Sequence, residues 1–532
     1  MYGSSRRHEF LMGAVILTAL CVAYFLDPNA RLDFSAFDTR DAENYLALSW
    51  SLVTGHGYTR SLDPSVYIPH ATWPPGLPLL LAPFTFLSGV PLNLLVVKMG
   101  MIAYGVAGIL LSYLYARRMA RSSLARLSVP LLLGLNPYYW QFSRMANCEM
   151  PTVLWSLVAL LLADIGWARG TIGRGTAFAF GLVSGFGMLI RGSFFGALFL
   201  PLTYLFVLRR EPVDRRAMVV RYLCYAVGFV LPFGSWMARN SLIRLGPIGP
   251  DANNQFAMIF RESPVDPASP FRSLAEIWSD VVTNLRDAAT YLIPKAFVPG
   301  LWTHGLWSEL GAWSGPLAAC LSLALVLLSC RAVRNLPIIL MYGSMAALNV
   351  LYADGGMARL WVPVTCLLAI SLPIAAETLP FPRHPQARGW CAAIVLAALA
   401  VGLVSYTVDH ERHPYHDANF AALAQMFSEI RDGNPIDGNV LTPDPQAFEL
   451  YTGDPAPMSL PAIGVDPVYS YVILPSAEWA AQTFEGTVVA KNGIWSLVAF
   501  ATPTTLPDFR RGYNCDRSSI ASFAVVSDCL IR

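Results

Sequence analysis

The chain has 532 residues, 55% of them hydrophobic and 14% charged, with a mean hydropathy of +0.47. That balance excludes an ordinary soluble globular protein, and a net charge of +2 gives no footing for a nucleic-acid partner. Uncharged runs of about 18 residues or more recur and read as membrane-spanning helices. The expected class is therefore an α-helical polytopic membrane protein.

In chain order, eleven spans are expected: 9–26, 92–116, 124–141, 150–167, 175–190, 193–208, 218–238, 312–330, 336–352, 359–377 and 389–408. The first reads as a retained span, because no small-residue cleavage site follows it. With the N-terminus inside, the short inner segments hold seventeen arginines, from Arg6 and Arg7 through Arg117, Arg118 and Arg121 to Arg383 and Arg388. The short outer turns hold only Arg144, Arg191 and Arg359. This bias sets the topology: a membrane domain, 1–408, with long outer loops at 27–91 and 239–311, then an outer tail, 409–532.

Behind the first span comes "FDTRDAENYLALSWSLVTGHGY", which places Asp38, Asp41 and Glu43 within six residues. Tyr45, Leu48 and Leu52 keep helical spacing, and Gly55 and Gly57 end the run, so 41–54 is expected as an amphipathic helix on the outer membrane surface. Asp41 then stands at its N-terminus, either as a cap or as a reactive acid. "HATWPPGLPLLLAPF" is too broken by proline to span and predicts a second short helix starting at the Pro-Pro pair. A further acid, Glu149, precedes Met150-Pro151 at the start of the fourth span. There it complements a helix dipole or lines a polar cavity.

Cations that could hold a phosphate on the same side are Arg191, Arg239 and Arg359 at outer span ends and Lys98 near the start of the second span. Each has the alternative reading of a snorkelling interface cation. His56 and His70 read as polar loop residues or as substrate contacts. In the tail, "NFAALAQMFSEIRDG" has helical spacing, while "GNVLTP", "VYSYVILP" and "GTVVA" read as short strands, which predicts a small α/β cap. Cys515 and Cys529 lie there in an oxidising compartment and predict a disulfide.

The order of these parts is an apolar span, Asp-x-x-x-Tyr followed by Gly-x-Gly-Tyr, a Pro-Pro helix, and an outer-loop acid before Met-Pro. It resembles the membrane glycosyltransferases of the GT-C fold, in particular the protein O-mannosyltransferase and aminoarabinose-transferase group. "DAENYLALSWSLVTGHGY" is similar to that family's first-loop motif, with Asp41 and Tyr45 at its acidic and tyrosine positions. "MANCEMPTVLW" is similar to its second acidic site, with Glu149 at the acid. "PFGSWMARNSLIRLGPIGPDANNQ" and "MARLWVPVTCLLAI" resemble later stretches of bacterial members. Two departures stand out: Ala42 separates Asp41 from Glu43, and Trp73 stands where the aminoarabinose transferases have a lysine.

The resemblance implies a polyprenyl-phosphate-linked sugar donor used on the outer face of a plasma (bacterial inner) membrane. The acceptor would be a glycan, lipid or protein hydroxyl. Asp41 becomes the candidate base, and Glu149 with Glu43 the supporting acids. A divalent metal, Mg²⁺ or Mn²⁺, on these hard oxygens is left open. Two other classes compete: a transporter or flippase of lipid-linked glycans, which calls for polar groups at mid-membrane, and a non-catalytic membrane scaffold, which has no use for paired acids at the interface.

Overall fold

The computed structural model describes residues 2–26, 41–59, 69–208, 214–243, 260–262, 270–297, 311–352 and 358–378. Further on it describes 418–433, 436, 438–441, 448, 450, 452, 468–474, 487–491 and 496–505. The expected eleventh span and the Cys515–Cys529 pair lie outside the described residues.

Among the described residues, fifteen α-helices precede the tail: α1 Tyr2–Leu26, α2 Ala42–Val53, α3 Gly76–Ser88, α4 Leu94–Met119, α5 Ser123–Gly134, α6 Pro137–Phe142, α7 Glu149–Trp167, α8 Arg174–Ile190, α9 Leu200–Phe206, α10 Arg215–Leu242, α11 Leu274–Asp287, α12 Ile293–Phe297, α13 Ser314–Cys330, α14 Leu336–Leu351 and α15 Ala358–Ala376. Six helical segments among the described residues are long and apolar enough to cross a membrane: His8–Leu26, Leu94–Met119, Glu149–Trp167, Arg215–Leu242, Gly311–Cys330 and Arg359–Ala376. The protein is a multi-pass membrane protein.

The other expected spans are shorter or broken, for local reasons. The run 124–141 splits at Asn136-Pro137. The residue before a proline is pushed out of the helical region, and Asn136 starts a new helix by accepting from Tyr139 N at 3.1 Å. The run 193–208 begins as a 3₁₀ helix, Gly192–Phe199, before it continues as α9. Gly196 lies so close to α14 that a Cβ there would sit 2.2 Å from Ser344 Oγ.

Contacts between helix ends fall into two groups, one at each face of the bundle. One face is tied by arginine. Arg118 pairs with Asp164, and Arg126 Nη1 meets Glu9 Oε1 at 3.0 Å. Arg334 Nη1 donates to Met119 O at 3.0 Å, and the Glu377 carboxylate accepts from the backbone N–H groups of Arg121 and Ser122. The opposite face is where α4, α7 and α15 start and where α8, α10 and α14 end.

On that opposite face lie α2 and α3. The sequence leads one to expect α2 on the membrane surface with a polar side to water. Instead it is enclosed: Ala42, Glu43, Tyr45, Leu46, Ala47, Leu48, Ser49 and Ser51 are all buried. Its cover comes partly from the tail. Met426, Phe427 and Ile430 of α16 (Ala418–Asp432), with Val440, Phe448, Leu450, Ile473 and Leu497, share one buried apolar cluster with Ala42, Leu46, Leu77, Leu81 and Met101. Leu92 N donates to Leu450 O at 2.7 Å across this junction. The tail's sheet has the order β1-β2-β4-β3, from β1 Val440–Leu441, β2 Val468–Leu474, β3 Thr487–Lys491 and β4 Ser496–Thr505. β1 pairs parallel to β2, and the other pairs are antiparallel. The spacing anticipates the helix and three strands; β4 is added by the structure.

Candidate active site

Stretches far apart in sequence meet on this second face. Asp41 directly precedes α2, and its side chain makes no capping hydrogen bond. Its Oδ2 instead accepts a charge-assisted hydrogen bond from Arg359 Nη1 at 2.5 Å. Glu149 stands in the first turn of α7, with Oε1 3.9 Å from Arg191 Nη1. Its Oε2 has no hydrogen-bond partner among the described residues.

Arg191 follows the last turn of α8 in extended backbone, φ −154° and ψ 126°. Its Nη2 donates to Leu360 O at 3.3 Å, and Asn349 Nδ2, near the end of α14, donates to the same carbonyl at 2.7 Å. These two bonds seat the start of α15 and with it Arg359. α3 is pressed onto the end of α8: a Cβ on Gly76 would lie 2.3 Å from the backbone of Leu189. That contact sets Trp73, whose ring lies 5.2 Å from that of Tyr45.

The result is a cleft of ≈ 190 Å³ whose polar lining is Asp41, Tyr45, Trp73, Cys148, Glu149, Arg191, Ser193, Asn349, Tyr352 and Arg359. Ile190, Gly192, Leu348 and Leu360 complete its wall. Burial, with Cys148, Asp41 and Glu149 as neighbours, holds the Tyr45 phenol well above its ordinary range, so it stays a neutral donor. Loss of hydration and the Glu149 carboxylate push the Cys148 thiol up to about 12, so it is no thiolate at neutral pH. A larger hollow, ≈ 580 Å³, runs along α10 past Leu223, Val227, Val230 and Leu231. Its lining carries no ionisable side chain, so it offers apolar contact and no catalyst.

Of the residues singled out from sequence, the cleft gathers Asp41, Tyr45, Glu149, Arg191 and Arg359. Glu43 is buried elsewhere on α2 and Lys98 is buried on α4; neither lines the cleft. His56 Nδ1 lies 3.1 Å from Thr54 Oγ1 in the turn after α2. His70 Nε2 accepts from Trp73 N at 3.0 Å. Arg239 Nη1 donates to His70 O at 2.8 Å, its guanidinium lies over the Trp236 ring, and Asn240 Nδ2 donates to Ala71 O at 2.8 Å. These contacts clamp the loop that carries Trp73 onto α10. Trp73, Cys148, Ser193, Asn349 and Tyr352 were not picked out from sequence as site residues.

The donor set does not fit a divalent cation: no three His, Cys, Asp or Glu converge among the described residues, and each cleft carboxylate faces a guanidinium.

No protein-family model matches the chain, and no curated protein matches it in sequence. Solved structures do match its fold. ArnT from Cupriavidus metallidurans bound to undecaprenyl phosphate is 15% identical, with a TM-score of 0.58 over 91% of this chain and 97% of that one. The same protein in the apo state is 14% identical, with a TM-score of 0.56 over the same shares. The chain has the GT-C fold.

Proposed function

We propose that this protein is a glycosyltransferase that moves a sugar from a polyprenyl phosphate to an acceptor hydroxyl, on the membrane face where the cleft lies. The observation that carries the proposal is the convergence of two carboxylates and two guanidiniums in one cleft at the end of a membrane bundle. Such a set supplies a proton acceptor and a cradle for a leaving phosphate in one place. The donor class is supported by the shared fold with a structure that holds undecaprenyl phosphate.

In this reading the acceptor hydroxyl loses its proton to Asp41 as its oxygen bonds to the anomeric carbon. The bond from that carbon to the phosphate oxygen breaks, and polyprenyl phosphate leaves with the electron pair. Arg359 is the more exposed guanidinium, with its side chain 26% exposed against 10% for Arg191, and it meets the phosphate. A phosphate oxygen that takes Arg359 Nη1 releases Asp41 Oδ2 for the proton. Glu149 orients the reacting sugar, and the neutral Tyr45 phenol is a nearby donor.

Orientation follows from charge. The arginine-tied face is cytoplasmic and the cleft face extracytoplasmic. The expected outer tail (409–532), whose described residues pack over α2 and α3 on the cleft face, would then border the acceptor side. The donor sugar is identified by lipid analysis. Cells that lack the protein are expected to accumulate one polyprenyl-phosphate sugar, seen by mass spectrometry of their lipids. An unchanged polyprenyl-phosphate profile would overturn the proposal.

A further inference from the structure

The two ion pairs do not use up the cleft's polar atoms. Glu149 Oε2, Arg191 Nη1 and Ser193 Oγ have no hydrogen-bond partner among the described residues. All three belong to side chains nine-tenths or more buried: Ser193 is 7% exposed, Glu149 4% and Arg191 10%. A buried polar group left without a partner is costly, and native structures hold few of them. Three on one wall of one cleft call for a ligand that satisfies all of them together.

The chemistry of that ligand follows from the donors and acceptors. Glu149 Oε2 only accepts, Arg191 Nη1 only donates, and Ser193 Oγ does both. A phosphate only accepts, so it would be repelled by Glu149. An ammonium only donates, so it would be repelled by Arg191. A hydroxyl donates and accepts, and adjacent hydroxyls on a ring serve the whole set. The cleft volume, ≈ 190 Å³, is that of about six waters in the liquid, the scale of one sugar ring.

We propose that Glu149 Oε2, Arg191 Nη1 and Ser193 Oγ form a hydroxyl-reading subsite for one uncharged monosaccharide, with Ser193 as a specificity-determining residue. The proposal rests on the glycosyltransferase reading and narrows it: the donor carries a single neutral sugar, not an amino sugar and not an oligosaccharide. Gly192 and the 3₁₀ turn that follows it place Ser193 beside Arg191. The segment between α8 and α9 therefore supplies two of the three groups, and the first turn of α7 supplies Glu149.

The test uses the full-length protein in nanodiscs, with binding read by native mass spectrometry. Three probes are compared: bare polyprenyl phosphate, polyprenyl-phosphate hexose and polyprenyl-phosphate 4-amino-pentose. Wild type is expected to bind the hexose-bearing probe more tightly than the other two. Ser193→Ala is expected to weaken the hexose probe by about tenfold, one hydrogen bond's worth, and to leave bare polyprenyl phosphate unchanged. The unchanged arm also reports that the variant is folded, and Ser193→Thr, which keeps the hydroxyl, should recover part of the loss. The subsite is overturned if the hexose adds no affinity, if the amino sugar binds best, or if Ser193→Ala weakens all probes equally. Should bare polyprenyl phosphate and both sugar probes fail to bind wild type, the donor reading itself falls, and the subsite with it.

Discussion

The side chains of Arg191 and Glu149 are 10% and 4% exposed, whereas those of Arg359 and Asp41 are 26% and 31% exposed. Breaking a buried pair from one side strands a charge away from water, at a cost of about 3–5 kcal/mol. The Asp41–Arg359 pair is only half-buried, so water screens it and can hydrate a charge left behind, and breaking it costs less. Arg191→Ala should therefore lower the unfolding midpoint strongly, and Arg191→Ala with Glu149→Gln should recover much of it. Arg359→Ala should change the midpoint little and act on donor use. Equal melting losses in the two single variants would contradict this assignment. The four charged residues are legible in sequence because charge is rare in so apolar a chain. Ser193 and Asn349 are not, because Ser and Thr in these helices routinely satisfy a carbonyl one turn back, as Thr152, Ser156 and Ser344 do. His70 and Arg239 look like site residues by type. Their partners are backbone groups of the loop that carries Trp73, which sequence does not show.

Helix α8 delivers Arg191 to the cleft, so its packing matters to the site. α8 and α10 cross closely through glycine. A Cβ on Gly181 would lie 2.1 Å from Tyr225 O, one on Gly185 2.1 Å from Phe229 O, and one on Gly228 2.2 Å from Phe178 O. Small residues four apart are what close helix approach in a membrane requires. Gly185→Val must push backbone against backbone and is expected to cost about 1–3 kcal/mol or more, with activity lost as α8 shifts. Gly175, on the same helix, has open space beside it. Gly175→Ala is expected to be neutral or to stabilise by up to about 1 kcal/mol. Thermal melts of the two variants check the pair, and equal behaviour would contradict the crossing. The hydropathy pattern reveals the long spans well. It misses the break at Asn136 because a capping side chain inside an apolar run leaves no trace in hydropathy. It also assigns α2 to a surface, since residues that cover it stand 380 to 455 positions later, in α16 and the sheet.

At the scale of the whole molecule, the fold divides labour between its two faces. The arginine-tied face fixes helix ends to one another, while the other face leaves a polar cleft between α2, α7, α8, α14 and α15. The described residues of the tail close over α2 and α3 rather than standing apart, while the residues that line the cleft lie between Asp41 and Leu360. We propose that this cleft transfers a sugar with Asp41 as the base. It is tested most directly in membranes from cells lacking the protein, which supply the acceptor. Purified wild-type or Asp41→Asn protein is added with a polyprenyl-phosphate monosaccharide, and free polyprenyl phosphate is measured over time. Asn keeps the size of the side chain and removes the proton acceptor. Wild type is expected to release polyprenyl phosphate, and Asp41→Asn to do so at least about 100-fold more slowly, with the same melting midpoint. Release by Asp41→Asn at the wild-type rate would rule Asp41 out as the base.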